Sequence, residues 1–427
     1  MTGNPRIRAA AVLYTQHPVE GTALSSFANQ LKNRGWNVGG VVQDVLRNDQ
    51  GIKIGVDAVA LDTGDRFPIV RPTQEDLAAS SCGLDRSVLT ESSTALRRAI
   101  DNKVDILIVE KFGEREQLGE GLSDEIMNAM AEGIPVLVAV PAAAIEIWTD
   151  FTGGLADLLP SELSALQHWW GRENLYEELI RAVPAEPVKR LVVGLNWIMV
   201  EGRNGSGLSH TPSRGAGGCR SIPEADILAK KDLHELAGLA QSWNPFEAAI
   251  GIAAINAFYN RYDLDGEAVN GLDTLKNANG PVTVIGAFKQ IEEKFSNLSV
   301  VEISPKDTQF PQSAAGSLLE TCEGAVITAS TLINRTLPTL LEHCQHNETI
   351  LVGPGTPLAP ALHYYGIDTL SGLVIKDVDA VAAIISAGGS VRDIKPHCRY
   401  VTLTSKFEKM GSSQPSSNTP RAVQHCC

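Results

Sequence analysis

Residues 325–360 read AVITASTLINRTLPTLLEHCQHNETILVGPGTPLAP. The apolar run 325–327 ends in Thr328, Ser330, Thr331 and Asn334. A helical segment follows, and a second apolar run, 349–352, ends in Gly353-Pro354-Gly355-Thr356-Pro357. Strand, polar loop, helix, strand and Gly/Pro loop is the grammar of a parallel α/β sheet, with both loops at the carboxyl edge where such folds bind ligands. Small residues let a ligand approach the backbone, and hydroxyls and amides offer uncharged hydrogen bonds. The stretch points to a binding site without naming the ligand.

On either side the α/β pattern continues. Residues 281–285 and 298–303 read as the preceding strands, and 370–375 as the next one. Gly286 follows the first of these and Glu302 closes the second. A dinucleotide-binding fold places an acidic residue near this point to hold ribose hydroxyls, but one glycine is not G-x-G-x-x-G. Nucleotide binding here stays open.

Upstream, residues 188–200 read as a strand pair or one bent strand. A Gly/Ser-rich stretch at 201–220 follows, which a β-hairpin or mobile loop explains as well as a phosphate loop does. His210 and Cys219 lie in it, at a spacing that is not a recognised metal-ligand pattern. A short helix is expected over 231–240. Asn244 and Pro245 then supply an N-cap and a first-turn proline for a helix over 246–259. That helix is apolar on nearly every side, so it is read as central and buried. Gly251, Ala253 and Ala254 allow another element to come close. Asn256 is either a satisfied core amide or a residue facing the cleft; Asn260, one turn on, favours the cleft.

The amino-terminal part opens with a strand at 8–14, a loop, a helix at 22–35 and a strand at 37–43, as P-loop nucleotide-binding domains do. The phosphate loop is degenerate. Gly21 stands for the second glycine, but Thr22 replaces the lysine and Ala23 the hydroxyl residue of G-x-x-x-x-G-K-[ST]. A degenerate or merely similar turn is favoured over efficient NTP hydrolysis. Residues 52–70 read as a hairpin turning at Thr63-Gly64-Asp65. A loop at 80–86 carries Cys82, and a helix is expected over 87–100. The strand 104–109 ends in Glu110-Lys111-Phe112-Gly113-Glu114-Arg115-Glu116, charges placed where this fold class puts a site, or a solvated loop. Further expectations are a helix over 123–133 with Ser123 as N-cap, a strand over 134–140, a helix over 142–152, and a helix over 155–178 carrying Trp169 and Trp170. The linker is Pro184-Ala185-Glu186-Pro187.

The chain of 427 residues carries a formal net charge of −14, which argues against a protein that works by neutralising nucleic-acid phosphates. Seven dispersed Cys with no CxxC make a poor disulfide framework. No apolar run is long enough to span a bilayer, and the first residues lack a signal-peptide pattern. The expected compartment is the cytoplasm. His343, Cys344 and His346 are a metal-site temptation better read as a solvated helix end, and the tail 405–427, ending His-Cys-Cys, is expected to be disordered.

Two resemblances add to this. GTALSSFANQLKNRGWNVGGVVQ, CGLDRSVL, VEKFGEREQLGEGL and IPVLVAVP resemble a bacterial family of NTPase-like domains of unknown function, linked with molybdenum transport or metabolism genes. Glu110, Lys111, Gly113, Gly119 and Gly121 match its central motif, and Cys82 and Asp85 its cysteine motif. LNWIMVEG, SGLSHTP, SWNPFEAAIGIAAINAFYN, VTVIGAF, VITASTLINRTL, VGPGTPLAP and GIDTLSGLVI are similar to the "Putative heavy-metal chelation" family. That resemblance implies a small α+β lobe like the amino-terminal domain of enolase, a Rossmann-like lobe, and a site in the cleft between them. The matching positions are Asn256, Gly286, Thr328, Thr331, Asn334, Thr336, Gly353, Pro354, Thr356 and Pro357. Gly355 stands where the family often has Ser, and Arg335 where it often has Gly; a guanidinium there could add an anion contact.

The expected architecture is α/β throughout: a degenerate P-loop-like domain (1–184), an α+β lobe (188–278), a Rossmann-like lobe (279–404) and a tail (405–427). The expected function is metal homeostasis: binding of a heavy metal, molybdenum oxyanion or metal chelate in the interlobe cleft. One alternative is an enzyme using a nucleotide-like cofactor held by Glu302. Another is a non-catalytic adaptor for metal transport or cofactor assembly. No catalytic residue is named. The cofactor is left open between a metal, molybdate and a nucleotide. The expected partners are a small-molecule or metal ligand, with no nucleic acid; a homodimer is left open.

Overall fold

The computed structural model describes residues 8–15, 23–73, 83–213, 225–228, 230–275 and 279–405. It divides into one compact unit up to Leu166 and a second from Gln167. The first unit is built on β1 (Ala9–Tyr14), β2 (Val38–Arg47), β3 (Lys53–Ala60), β4 (Arg66–Val70), β5 (Ile106–Val109), β6 (Val136–Pro141) and β7 (Asp157–Pro160). The sheet order is β4-β3-β2-β5-β6-β1-β7. Strands β2, β5, β6, β1 and β7 run parallel, and the β3–β4 hairpin adds antiparallel to β2. The central strands AAAVLY, ILIV and VLVAVP are continuous apolar runs because helices cover both faces of such a sheet. Helix Ala23–Asn33 buries Leu24, Phe27, Ala28 and Leu31, the stripe its spacing predicts. Helix Arg86–Asp101 starts on Asp85, whose Oδ1 accepts from the backbone N–H groups of Ser87 and Val88.

Two local expectations are corrected. Residues 155–178 are not one helix. Asp157–Pro160 is edge strand β7 beside β1, and the helix is Leu163–Arg181. Pairing with an apolar neighbour overrides the local pattern, and proline is tolerated at a strand edge. Ser123 is the first residue of helix Ser123–Ala131 rather than its cap; Leu122 holds the cap position without a side-chain bond.

In the second unit, β8 (Arg190–Val193), β9 (Trp197–Glu201) and β10 (Ser206–His210) form an antiparallel sheet, order β10-β9-β8. The Gly/Ser-rich stretch is therefore, in its described part, a hairpin strand. Helix Pro245–Tyr259 lies against this sheet, with Asn244 capping the N–H of Phe246 at 3.0 Å. Its neighbours come very close. A Cβ on Gly207 would lie 2.0 Å from the carbonyl oxygen of Ala253, and one on Gly251 would lie 2.0 Å from the nitrogen of Ala240. The small residues read from the sequence are a steric requirement of this clasp.

The second sheet comprises β11 (Val282–Ile285), β12 (Leu298–Glu302), β13 (Phe310–Pro311), β14 (Gly324–Thr328), β15 (Glu348–Val352), β16 (Thr369–Ile375) and β17 (Cys398–Thr404). Its order is β13-β12-β11-β14-β15-β16-β17, parallel until the antiparallel edge strand β17. The six parallel strands follow the 3-2-1-4-5-6 order of dinucleotide-binding folds, with the direction of winding reversing between β11 and β14.

Gly207→Ala and Gly251→Ala should each destabilise the second unit by about 2 kcal/mol or more through overpacking. Gly238→Ala, whose Cβ would meet nothing within 4 Å, should be near neutral. Thermal denaturation of the three variants checks this ordering.

Candidate functional site

Strand β14 ends at Thr328 and β15 at Val352, so the loops after them emerge side by side near the winding reversal. Together with the antiparallel lobe they line a small, partly open cleft of about 30 Å³. Trp197, Ser209, His210 and Ile252 line it from one lobe; Thr328, Ser330, Ile333, Gly353, Pro354 and Gly355 line it from the other. Gly353 has φ +140°, and its N–H donates to the Ser371 carbonyl at 3.1 Å. Gly286, at φ +97°, ends the neighbouring strand; a Cβ there would lie 2.7 Å from Cγ2 of Thr328. The Thr328 side chain thus leaves no room for a Cβ at Gly286.

Two buried asparagines join the lobes. Asn256 Nδ2 donates to the carbonyls of Leu208 (2.7 Å) and Gly355 (2.9 Å), one on each lobe. Asn260 Nδ2 donates to the carbonyls of Thr356 (3.0 Å) and Leu373 (3.3 Å), and its Oδ1 accepts from the N–H of Leu358 (2.9 Å). Gly355 sits where a Cβ would be 3.1 Å from the Leu208 oxygen. Asn256 is therefore in the joint behind the cleft rather than on its lining. Thr356 is also fully buried.

The remaining candidates divide. Thr328, Gly353 and Pro354 line the cleft. Thr331 is buried and donates to the Thr328 carbonyl at 2.7 Å. Asn334 is exposed, and its Oδ1 accepts from the Thr336 hydroxyl at 2.7 Å. Pro357 is buried beside the joint. Arg335, at φ +62°, donates from Nη1 to the Gln241 carbonyl (2.7 Å). Its guanidinium lies 4.4 Å from the Trp243 ring centroid and 5.3 Å from that of Tyr176, packed between the two rings. Glu302 accepts from the Ala287 N–H at 2.5 Å and from the Ile303 N–H at 3.0 Å, tying β12 to the loop after β11.

Sequence reasoning gave no weight to Trp197, Ser209 and Ile252, and considered His210 only with Cys219. His210 faces Trp197 across the β9–β10 ladder, with ring centroids 5.5 Å apart at 83°. Although its ring meets solvent, partial burial lowers its pKa below the usual histidine value. The available signal was the hairpin register, which puts His210 opposite a large aromatic.

In the first unit Glu110 is buried, and its Oε2 accepts from the Gln43 N–H at 3.1 Å. Tyr14 is pushed up to about 12 by burial, with the charge of Glu110 adding to the effect. Lys111 is half-buried. The residue that organises this loop is Glu116, which the sequence places among the loop's charges without singling it out. Its carboxylate accepts from the N–H groups of Gly113 (2.9 Å) and Leu122 (3.0 Å). Burial raises its pKa, opposed by those amides and by the Lys111 charge. Gly121, at φ +61°, is where a Cβ would lie 2.1 Å from Glu116 Oε1. Gly21, Thr22 and Cys82 lie outside the described residues, as do Cys219 and residues 406–427. His343 Nδ1 bonds Glu320 at 2.7 Å, and the Cys344 thiol is buried against the Leu340 carbonyl. Among the described residues no three His, Cys, Asp or Glu side chains come together to hold a metal ion.

With this geometry in hand, family models match the chain in order. Residues 9–169 match a family described as a protein of unknown function, and residues 176–259 and 270–404 match two models described as "Putative heavy-metal chelation". A crystal structure of a protein of unknown function from Desulfitobacterium hafniense, a member of the family matched over 270–404, is 31% identical to this chain. The superposition covers 55% of this chain and 99% of that one, with a TM-score of 0.50. The second unit belongs to the chelation family. The amino-terminal region is similar to a molybdenum import ATP-binding protein, ModC 2, of Bradyrhizobium diazoefficiens. That match is 38% identical over 163 residues, 38% of this chain, and spans only 18% of the ModC 2 length. An uncharacterized protein of Methanocaldococcus jannaschii is 28% identical over 193 residues, 42% of this chain and 74% of that one.

Asn260→Ala would leave three buried backbone groups without partners, and should cost about 3 kcal/mol or more. Chemical denaturation of the full chain checks this. Glu116→Ala strips two amides in the first unit and should cost about 2 kcal/mol; its melting curve should show the loss in the first unit's transition while leaving the second unit's intact.

Proposed function

We propose that the second unit binds a metal in complexed form, as a metal chelate or a molybdenum oxyanion, in the cleft between its lobes. The observation that carries this is the cleft lining: hydroxyls, backbone groups, apolar walls and the His210 imidazole, with no carboxylate and no thiolate among the described residues. A bare divalent cation wants several charged or strongly donating ligands. A metal that arrives with its own oxygen or chelator shell needs only hydrogen bonds and shape. The family description supports the metal, and the likeness to a molybdenum import protein supports molybdenum. In this reading the chain works in the cytoplasm, and the first unit docks it to a metal transport or cofactor assembly system. Among the described residues no helix is long and apolar enough to cross a membrane.

A second reading, a nucleotide-like cofactor, is favoured by the strand order and by Glu302 at the end of β12. Against it, the segment after β11 is the short 3-10 turn Ile291–Glu293 rather than a helix whose N-terminus could hold a pyrophosphate.

Native mass spectrometry and elemental analysis of the same gently purified full chain separate the two. The expected result is near one equivalent of metal per chain, with Ser330→Phe, which fills the cleft, lowering occupancy at least tenfold. An organic mass without metal that is retained by Ser330→Phe and lost on Glu302→Ala would contradict the reading and support the cofactor.

A further inference from the structure

A cleft of about 30 Å³ has room for roughly two water molecules, so a larger ligand enters only where a wall gives way. One wall is the four-residue helix Ser330–Ile333, whose Ser330 and Ile333 line the cleft. A helix this short does not hold its own position. Its carboxyl end is closed by a Schellman turn. The Thr336 N–H donates to the Thr331 carbonyl at 3.0 Å, and Arg335 sits in the turn at φ +62°. Glycine is the usual residue there, because a Cβ disfavours the left-handed region. What Arg335 supplies instead is its side chain. The guanidinium donates to the Gln241 carbonyl at 2.7 Å and lies between the rings of Trp243 and Tyr176. Gln241 and Trp243 belong to the segment that leads into helix Pro245–Tyr259, on the opposite lobe. The wall is thereby tied to that lobe through a group that glycine lacks.

Two kinds of tie then join the lobes. The Asn256 and Asn260 bonds are buried, and breaking them strands polar groups away from water. The Arg335 tie reaches the surface. Trp243 is 85% exposed, and water takes up a guanidinium and an indole that part there. The solvent-facing tie is the one that yields first. We propose that Arg335 is the latch of the cleft. Packed between Trp243 and Tyr176, it holds Ser330–Ile333 closed, and its release lets that wall withdraw while the asparagine joint stays fixed. The pivot is the buried side of the helix, where the Tyr176 hydroxyl donates to the Leu332 carbonyl at 2.8 Å. The latch shares its cleft with the function proposed above, but no ligand is needed to test it, so either can fail alone.

The test places a reporter thiol on the wall by Ser330→Cys in the full chain. Its labelling by small methyl methanethiosulfonate and by a bulky maleimide is followed on the peptide that carries position 330, by mass spectrometry. Hydrogen exchange of residues 329–336 is measured on the same proteins. Arg335→Gly removes the latch and suits the left-handed turn. It should speed bulky labelling and local exchange at least tenfold without lowering the melting temperature of the second unit. Trp243→Leu should speed both as well, and Arg335→Lys, which keeps the cation, should speed them less than Arg335→Gly. Unchanged labelling and exchange in Arg335→Gly would overturn the latch. So would acceleration spread over the whole second unit with a lower melting temperature, which is general destabilisation. Acceleration by Arg335→Gly with none from Trp243→Leu would trace the effect to the backbone and overturn it too.

Discussion

The carboxamides of Asn256 and Asn260 sit where water does not reach, so each must find its partners in protein. Both amide Nδ2 groups find backbone carbonyls and the Asn260 Oδ1 finds an N–H, the partners being drawn from both lobes of the second unit, while the Asn256 Oδ1 has no partner among the described residues. A side chain can be cut away by substitution, but a carbonyl cannot; bonding to backbone ties the joint to the course of the chain itself. The joint fixes where Leu208 and Gly355 stand relative to each other, and those two positions flank the cleft. The glycines at 207, 251 and 355 are the counterpart of this constraint. They let the helix Pro245–Tyr259, the hairpin and the Gly/Pro loop approach until their backbones touch. A cleft held this way is formed before any ligand arrives, so binding spends little on ordering the site.

Neutrality is the second consequence. The chain is acidic overall, at −14, yet among the described residues no charged side chain lines the cleft. An anionic wall would repel an oxyanion or a carboxylate chelator. A cationic wall would hold any anion without regard to its metal. A neutral wall leaves discrimination to hydrogen bonding and shape.

Much of this was legible in the sequence, and the reasons are physical. The apolar runs at β11, β12, β14, β15 and β16 announced a parallel sheet because strands buried on both faces cannot alternate. Asn244-Pro245 announced the central helix through cap chemistry that is local. What could not be read was everything settled by distant partners. Strand β7 exists because β1 offers an edge. Asn256 faces the joint rather than the cleft because Gly355, far along the chain, presents a carbonyl there. Arg335 packs on Trp243 and Tyr176 because two aromatic faces from other segments converge on it. His210 drew little weight because its would-be partner was sought nearby, at Cys219, while its real setting is a cross-strand tryptophan and two loops more than a hundred residues away. Glu116 was hidden for a similar reason: among many charges in its loop, only the fold shows which one turns inward to hold the amides.

The measurement that reaches the central claim most directly is an anomalous-difference map, at the copper edge, of crystals of the full chain grown with copper(II)–nitrilotriacetate. The account predicts one dominant peak in the cleft, flanked by Ser330 and Gly355. A dominant peak elsewhere, with the cleft empty of metal, would contradict it.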